Sequence, residues 1–75
     1  MSTSSTIKAL LAMTNTKQGD LINYLDVSSK QALSNKFSRD GWNPYDLVGI
    51  ADATGCKVGF LLPDGQFLRL TGKKE

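Results

Sequence analysis

The residues best suited to molecular recognition lie in the stretch SSKQALSNKF, residues 28–37 of this 75-residue chain. Leu33 and Phe37 are four positions apart and would share one side of a helix. The outer side would carry ammonium, amide and hydroxyl groups that donate or accept hydrogen bonds. These outer residues are Lys30, Gln31, Ser34 and Asn35. Such groups suit the recognition of a polar surface.

The chain offers few groups for catalysis or metal binding. It contains no His, and Cys56 is its single cysteine. No cluster therefore has metal-ligand spacing, and no nucleophile is matched with a base. We expect a protein that is not an enzyme and uses no cofactor or metal, with Cys56 as a small buried hydrophobic residue.

Composition indicates a globular protein, with 40% hydrophobic and 21% charged residues. No apolar run approaches the ~20 residues of a membrane span. The start, MSTSSTIKALLAM, lacks the basic region of a signal peptide. Together with the single thiol, these features predict a cytoplasmic protein with no membrane partner.

The net charge is +2, and the basic groups are unevenly distributed. Residues 14–39 carry four basic and two acidic side chains, whereas residues 40–52 carry only acidic ones. The four basic residues are Lys17, Lys30, Lys36 and Arg39. This charge distribution permits nucleic-acid binding without requiring it.

Apolar periodicity predicts four short helices. A flexible leader, residues 1–5, precedes the first helix, which runs to Met13 with Ser5 or Thr6 as its N-cap. The second helix covers residues 17–25. The third follows a turn of three or four residues, begins after Ser28 or Ser29, and covers residues 28–38.

The third and fourth helices carry clear end signals. Gly41 suits the left-handed conformation that follows a helix. Asn43 is a strong N-cap, Pro44 suits the first helical position, and Asp46 favours the helix N-terminus. Gly55 ends the fourth helix after Thr54.

Beyond Cys56 the pattern becomes extended. Residues 57–62 and 66–71 flank the turn sequence Pro63-Asp64-Gly65 and predict a β-hairpin. The fold class is therefore mainly α, with one domain over residues 6–71 whose hairpin occupies about residues 57–71, and a polar tail at 72–75. Because a two-stranded hairpin is marginal alone, its surplus apolar residues are candidates for a dimer interface, although helices could serve instead. These candidates are Phe60, Leu62, Phe67, Leu68 and Leu70.

The second and third predicted helices have helix-turn-helix spacing. In that arrangement the second of the two helices enters the DNA major groove. Lys pairs well with guanine, and Gln or Asn with adenine. The base-reading candidates are Lys30, Gln31, Ser34 and Asn35, with Lys36 and Arg39 flanking them for phosphates.

Several motifs together resemble the Cro/repressor (XRE-type) helix-turn-helix family, over roughly residues 6–70. They are Gln18…Leu21…Leu25-Asp26-Val27-Ser28, then QALSNKF at residues 31–37, then Asn43-Pro44…Leu47…Ile50-Ala51…Thr54-Gly55. The LSNKF, TGC and LPDG pieces are similar to the small single-domain members of Firmicutes and mobile elements.

The resemblance implies sequence-specific binding of a palindromic double-stranded operator by a homodimer, as a transcriptional regulator or repressor of a bacterial or mobile-element locus. It implies base reading by Lys30, Gln31 and Asn35, and backbone contact by Gln18, with help from the adjacent Lys17, Ser29 and Ser34. Asp26 stands where the family usually has Gly, and the turn is one residue longer. Whether Lys30 or Gln31 reaches the bases first therefore stays open.

A second hypothesis comes from another class of function. The weak net charge and the free strand edges would also suit a protein-interaction module, such as an antitoxin-like partner that binds through the hairpin edge. With no room for a separate ligand domain, a small-molecule effector is not expected.

Overall fold

The structure, a computed structural model that describes residues 2–72, is mainly helical with a C-terminal antiparallel hairpin. This confirms the predicted order of four helical segments and two strands. The elements are α1 (Thr3–Met13), a 3₁₀ helix (Gln18–Asn23), α2 (Lys30–Arg39), α3 (Pro44–Thr54), β1 (Gly59–Leu61) and β2 (Phe67–Arg69). Across residues 2–72, every helix is too short or too polar to traverse a lipid bilayer.

α1 begins earlier than the sequence predicts. Ser2 is its N-cap, and the Ser2 Oγ accepts the Ser5 N–H at 3.0 Å. The predicted caps at Ser5 or Thr6 are therefore wrong, because the Ser2 hydroxyl satisfies a free amide of the first turn. Residues 3–5, predicted as part of the leader, belong to α1. Of the predicted tail, residues 73–75 lie outside the described residues.

The predicted second α-helix is instead a 3₁₀ helix of six residues. Gly19 weakens helix formation, and 3₁₀ geometry is common in such short connecting segments. The following turn spans residues 24–29 and is longer than predicted. Asp26 needs no left-handed backbone there, since positive φ among the described non-glycine residues occurs at Asn15 and Asp40.

The ends of α2 and α3 largely follow the sequence signals. Ser29 is the N-cap of α2, but Asp40, with φ 54°, takes the left-handed position that was predicted for Gly41. Asn43 caps α3 by accepting the Asp46 N–H at 2.8 Å. Gly55, with φ 72°, ends α3 as predicted, because a left-handed C-cap carries no penalty for glycine.

The core lies between the four helical segments and contains no hairpin residue. Leu21 of the 3₁₀ helix is fully buried at its centre, with 0% exposure. The buried core cluster comprises Ile7, Leu11, Leu21, Leu25, Leu33, Phe37 and Ile50. The buried side of α2 packs on α1 and on the 3₁₀ helix.

Gly49 allows α3 to approach the end of the 3₁₀ helix. A Cβ built on Gly49 would lie 2.5 Å from the Tyr24 carbonyl oxygen and 2.8 Å from the Leu25 Cδ2. Real Cβ atoms do not come so close, so any larger residue would push the two segments apart. The sequence pattern gave no indication of this contact.

The hairpin pairs Gly59 with Arg69, Phe60 with Leu68 and Leu61 with Phe67. The strands are shorter than predicted, but hydrogen bonds continue the ladder, from the Leu70 N–H to the Val58 O (2.7 Å) and from the Leu62 N–H to the Gln66 O (2.7 Å). Directly opposed residues share a side, and sides alternate along a strand. One side, which we call the apolar face, therefore carries Val58, Phe60, Leu62, Leu68 and Leu70.

We predict that Gly49→Ala lowers the free energy of unfolding by about 1–3 kcal/mol, the usual cost of overpacking. Urea unfolding followed by Trp42 fluorescence measures it. Gly41→Ala is the matched control, because nothing lies within 4 Å of its added Cβ and its φ is not positive. Equal losses in the two variants would contradict the close approach.

Candidate nucleic-acid interface

The outer side of α2 is exposed along its length. Leu33 and Phe37 are buried, and Asn35 lies two positions from each of them, on the opposite side of a helix with 3.6 residues per turn. Ala32 and Lys36, which border the buried side, are half-buried. The exposed residues of α2 are Lys30, Gln31, Ser34, Asn35, Ser38 and Arg39. All four base-reading candidates therefore lie on one accessible surface.

Two of these candidates contact each other. The Gln31 Nε2 donates a hydrogen bond to the Asn35 Oδ1 at 3.2 Å, one turn further along α2. The pair leaves the Gln31 Oε1 as a free acceptor and the Asn35 Nδ2 as a free donor. Both residues are exposed, so these two groups are accessible from solvent.

The remaining phosphate candidates, apart from Lys36, are also exposed. Lys17 and Gln18 are exposed at the start of the 3₁₀ helix, and Arg39 is exposed in the last turn of α2. Ser29 is exposed, and its Oγ accepts the Ala32 N–H at 3.2 Å, so its first role is to cap α2. Lys17, Gln18, Ser29 and Arg39 are thus accessible from solvent.

Lys36 is placed differently from the other candidates. Its Nζ lies 2.7 Å from the Asp46 Oδ2, and the side chains are 23% and 6% exposed, respectively. The same Asp46 oxygen accepts the Asn43 N–H at 3.1 Å. Since the carboxylate is almost buried, Lys36 is its necessary partner. We therefore assign Lys36 to the packing of α2 on α3 rather than to a phosphate.

Ser4 fixes the end of α2 to the start of α1. Its buried hydroxyl donates to the Phe37 carbonyl oxygen at 2.9 Å and accepts the Trp42 Nε1–H at 2.9 Å. The Trp42 ring also stands edge-on to the Phe37 ring, with centroids 4.8 Å apart. These contacts orient the last turn of α2 relative to the core.

Asp40 completes the same junction. Its Oδ1 accepts the Ser4 N–H at 2.6 Å, so the carboxylate occupies the positive N-terminal end of α1. The nearby Ser4 side chain and the Ser4 backbone N–H lower the pKa of Asp40 below its ordinary value. Local sequence could not reveal this contact, because the two residues are separated by 36 positions.

The hairpin candidates divide between its two sides. Phe60 and Leu68 are 71% and 60% exposed on the apolar face, where Leu62 and Leu70 are half-buried. Phe67, 43% exposed, lies on the reverse side beside Leu61, which is 74% exposed and was not a candidate. The predicted interface residues therefore do not form one surface.

Cys56 is a free, half-buried thiol, less buried than predicted. Within residues 2–72 no group of His, Cys, Asp or Glu side chains could hold a metal ion. No protein-family model, curated protein or solved structure matches this chain.

We expect Lys36→Ala to lower the free energy of unfolding by about 1–3 kcal/mol, because it leaves the Asp46 carboxylate short of a partner. Arg39→Ala, at an exposed position of the same helix turn, should change it by less than about 0.5 kcal/mol. Chemical unfolding of both variants decides between the roles. If Lys36→Ala leaves the free energy of unfolding unchanged, Lys36 becomes a phosphate candidate again.

The lowered pKa of Asp40 predicts that the fold loses stability in acid. A carboxyl group with a lowered folded-state pKa stabilises the fold above about pH 4, and this contribution disappears as the pH falls through the lowered value. Asp40→Asn keeps the shape of the side chain and tolerates left-handed backbone. In this variant the free energy of unfolding should fall less steeply as the pH is lowered. Asp52→Asn, on the exposed side of α3, is the control. An unchanged acid branch in Asp40→Asn would exclude the proposed linkage.

Proposed function

We propose that the chain binds double-stranded DNA sequence-specifically as a homodimer and acts as a transcriptional regulator, a repressor in the simplest case. The carrying observation is the exposed surface of α2, which presents Gln31, Ser34 and Asn35 away from the packed side, while Lys30 is exposed at the first residue of the helix. The 3₁₀ helix and α2 would form the helix-turn-helix, with α2 in the major groove. A groove about 12 Å wide accepts one such helix.

The amides of Gln31 and Asn35 would supply the donor and the acceptor that the edge of adenine requires. Adenine presents N7 as an acceptor and N6 as a donor in the major groove. The free Asn35 Nδ2 would donate to N7, and the free Gln31 Oε1 would accept from N6, while their mutual hydrogen bond holds both in place. Lys30, one position before Gln31, would contact a neighbouring guanine.

Binding strength would come from cations around this surface. Lys17 and Arg39 are exposed basic residues that would contact phosphates, assisted by the polar Gln18 and Ser29. Each phosphate contact releases condensed counterions, so affinity should fall as salt rises. Because Lys36 is held by Asp46, its contribution to this term would be small.

A second candidate function is supported by the hairpin, whose large apolar residues are exposed on both sides. A protein-interaction module, such as an antitoxin-like partner, would use its free strand edges to bind another protein. Such a module would require no sequence preference on DNA, which separates the two functions experimentally. No catalytic role and no cofactor are proposed.

Selection from random duplex DNA, followed by titration at several salt concentrations, tests the first function. We expect an enriched palindrome containing an A·T pair that depends on Gln31 and Asn35. Asn35→Ala should lose about 1–3 kcal/mol of preference at that position, whereas Arg39→Ala should weaken all sequences equally and reduce the salt slope by about one. Ser38→Ala, another exposed residue of α2, is the control.

Two results would count against this function. An unenriched pool together with salt-independent binding would remove DNA as the ligand and favour the interaction module. Loss of affinity in Asn35→Ala without any change of preference would retain DNA binding but refute base reading by α2.

A further inference from the structure

An open pocket beside α3 has no part in the proposed function. Its volume is about 740 Å³, within the roughly 300–1,000 Å³ of typical small-molecule sites. It is bordered by α3, by the turn that follows the 3₁₀ helix, and by the end of β2 with the residues after it. The residues whose chemistry matters for a ligand are Tyr24, Asp26, Tyr45, Asp52 and Arg69.

Close packing holds both neighbouring segments against α3. Gly49 lets the backbone of Tyr24 approach the helix on one border of the pocket. Gly72 does the same for the segment after β2, since a Cβ built on it would lie 3.2 Å from the Val48 Cγ1 and 3.9 Å from the Tyr45 Cδ1. The pocket is therefore formed between segments that touch α3 directly.

Two aromatic side chains give the pocket apolar surface. Tyr24 and Tyr45 are 51% and 53% exposed, so folding leaves about half of each open to a ligand. The face of an aromatic ring attracts a cation that comes within about 6 Å of its centroid. The two tyrosines thus suit a ligand that combines an apolar body with a positive charge.

The charged groups of the pocket also favour a cation. Asp26 and Asp52 are exposed, and in the described part of the chain neither carboxylate forms an ion pair. Asp52 lies in the last turn of α3, where the helix dipole is negative and no basic residue is present. Arg69 is the one basic residue of the lining. Two carboxylates and one guanidinium give the lining a charge of −1, on a protein with a net charge of +2.

We propose that this pocket binds a small organic cation, in which an ammonium or guanidinium group is attached to an apolar body. The cationic group pairs with the carboxylates of Asp26 and Asp52, and the apolar body packs against the rings of Tyr24 and Tyr45. Arg69 opposes the ligand charge and limits the affinity. The sequence predicts no small-molecule effector because the chain has no room for a separate ligand domain, but this pocket lies within the single domain. The site does not depend on DNA binding.

The first test titrates the full chain with 2-phenylethylamine at neutral pH and follows the amide signals by NMR. We expect saturable binding with a Kd of about 1 mM, as for other ligands of fragment size. The signals that shift most should belong to residues 24–26, 45–52 and 69–72. The uncharged 2-phenylethanol has the same shape and is the matched control. It should bind about fivefold more weakly, because it forms no ion pair with the two carboxylates.

The second test separates ligand binding from stability. Asp52→Asn should weaken binding of 2-phenylethylamine about threefold without lowering the stability of the free protein, because it also removes a negative charge from the last turn of α3. Arg69→Gln should strengthen binding about threefold, since it removes a charge of the same sign as the ligand. Asp64→Asn is the matched control, because Asp64 is an exposed aspartate in the hairpin turn, outside the pocket. It should bind as the parent does.

Four outcomes would overturn the site. They are no saturable binding of the amine, equal binding of the amine and the alcohol, amide shifts centred outside the pocket, and equal effects of Asp52→Asn and Asp64→Asn. Because these titrations contain no DNA, their failure would leave the proposed function standing. Conversely, a chain that binds the amine as expected but selects no DNA sequence would refute only the proposed function.

Discussion

The position of α2 depends on a carboxylate that is almost removed from water. Asp46 is 5% exposed, and a buried carboxylate must be fully partnered. One partner is the backbone N–H of Asn43, which ties Asp46 to the start of its own helix. The other is Lys36, which comes from α2. Because Asp46 cannot release Lys36 without a large penalty, the two helices are held in one relative orientation.

A second junction fixes the same end of α2. Ser4 binds the Phe37 carbonyl, the Trp42 indole and, through its amide, the Asp40 carboxylate. The last turn of α2 is thereby held by α1 as well as by α3. The first turn has fewer constraints, namely the Ser29 cap and the packing of Leu33. A helix anchored at one end and along its inner side keeps its outer side free, as a base-reading helix requires.

Much of the fold could be predicted because its signals are local. Asn43, Pro44 and Gly55 mark the bounds of α3, and the Pro63-Asp64-Gly65 turn marks the hairpin. The predictions failed where distant contacts decide the structure. Asp40 rather than Gly41 is left-handed, and its carboxylate meets an amide that is 36 positions away. Likewise, Gly49 is required by a carbonyl of another segment.

The candidate surface, like the fold, could be predicted only where local signals decide it. The spacing of Leu33 and Phe37 identifies the outer residues of α2, since helical periodicity alone determines which side they share. The partner of Lys36 is ten positions away on another helix, so charge distribution alone left it among the phosphate candidates. The exposure of the hairpin could not be predicted either, because the alternation of side chains along a strand does not show whether a helix packs on it.

These constraints bear on the proposed homodimer. With Lys36 engaged, one protomer offers few exposed cations around α2, and the net charge of +2 adds little. Counterion release grows with the number of phosphate contacts, so a single protomer would bind weakly at physiological salt. Pairing two copies doubles these contacts and makes the second binding event effectively intramolecular. In a homodimer of the proposed kind, pairing of two copies would therefore be a condition for strong DNA binding by α2.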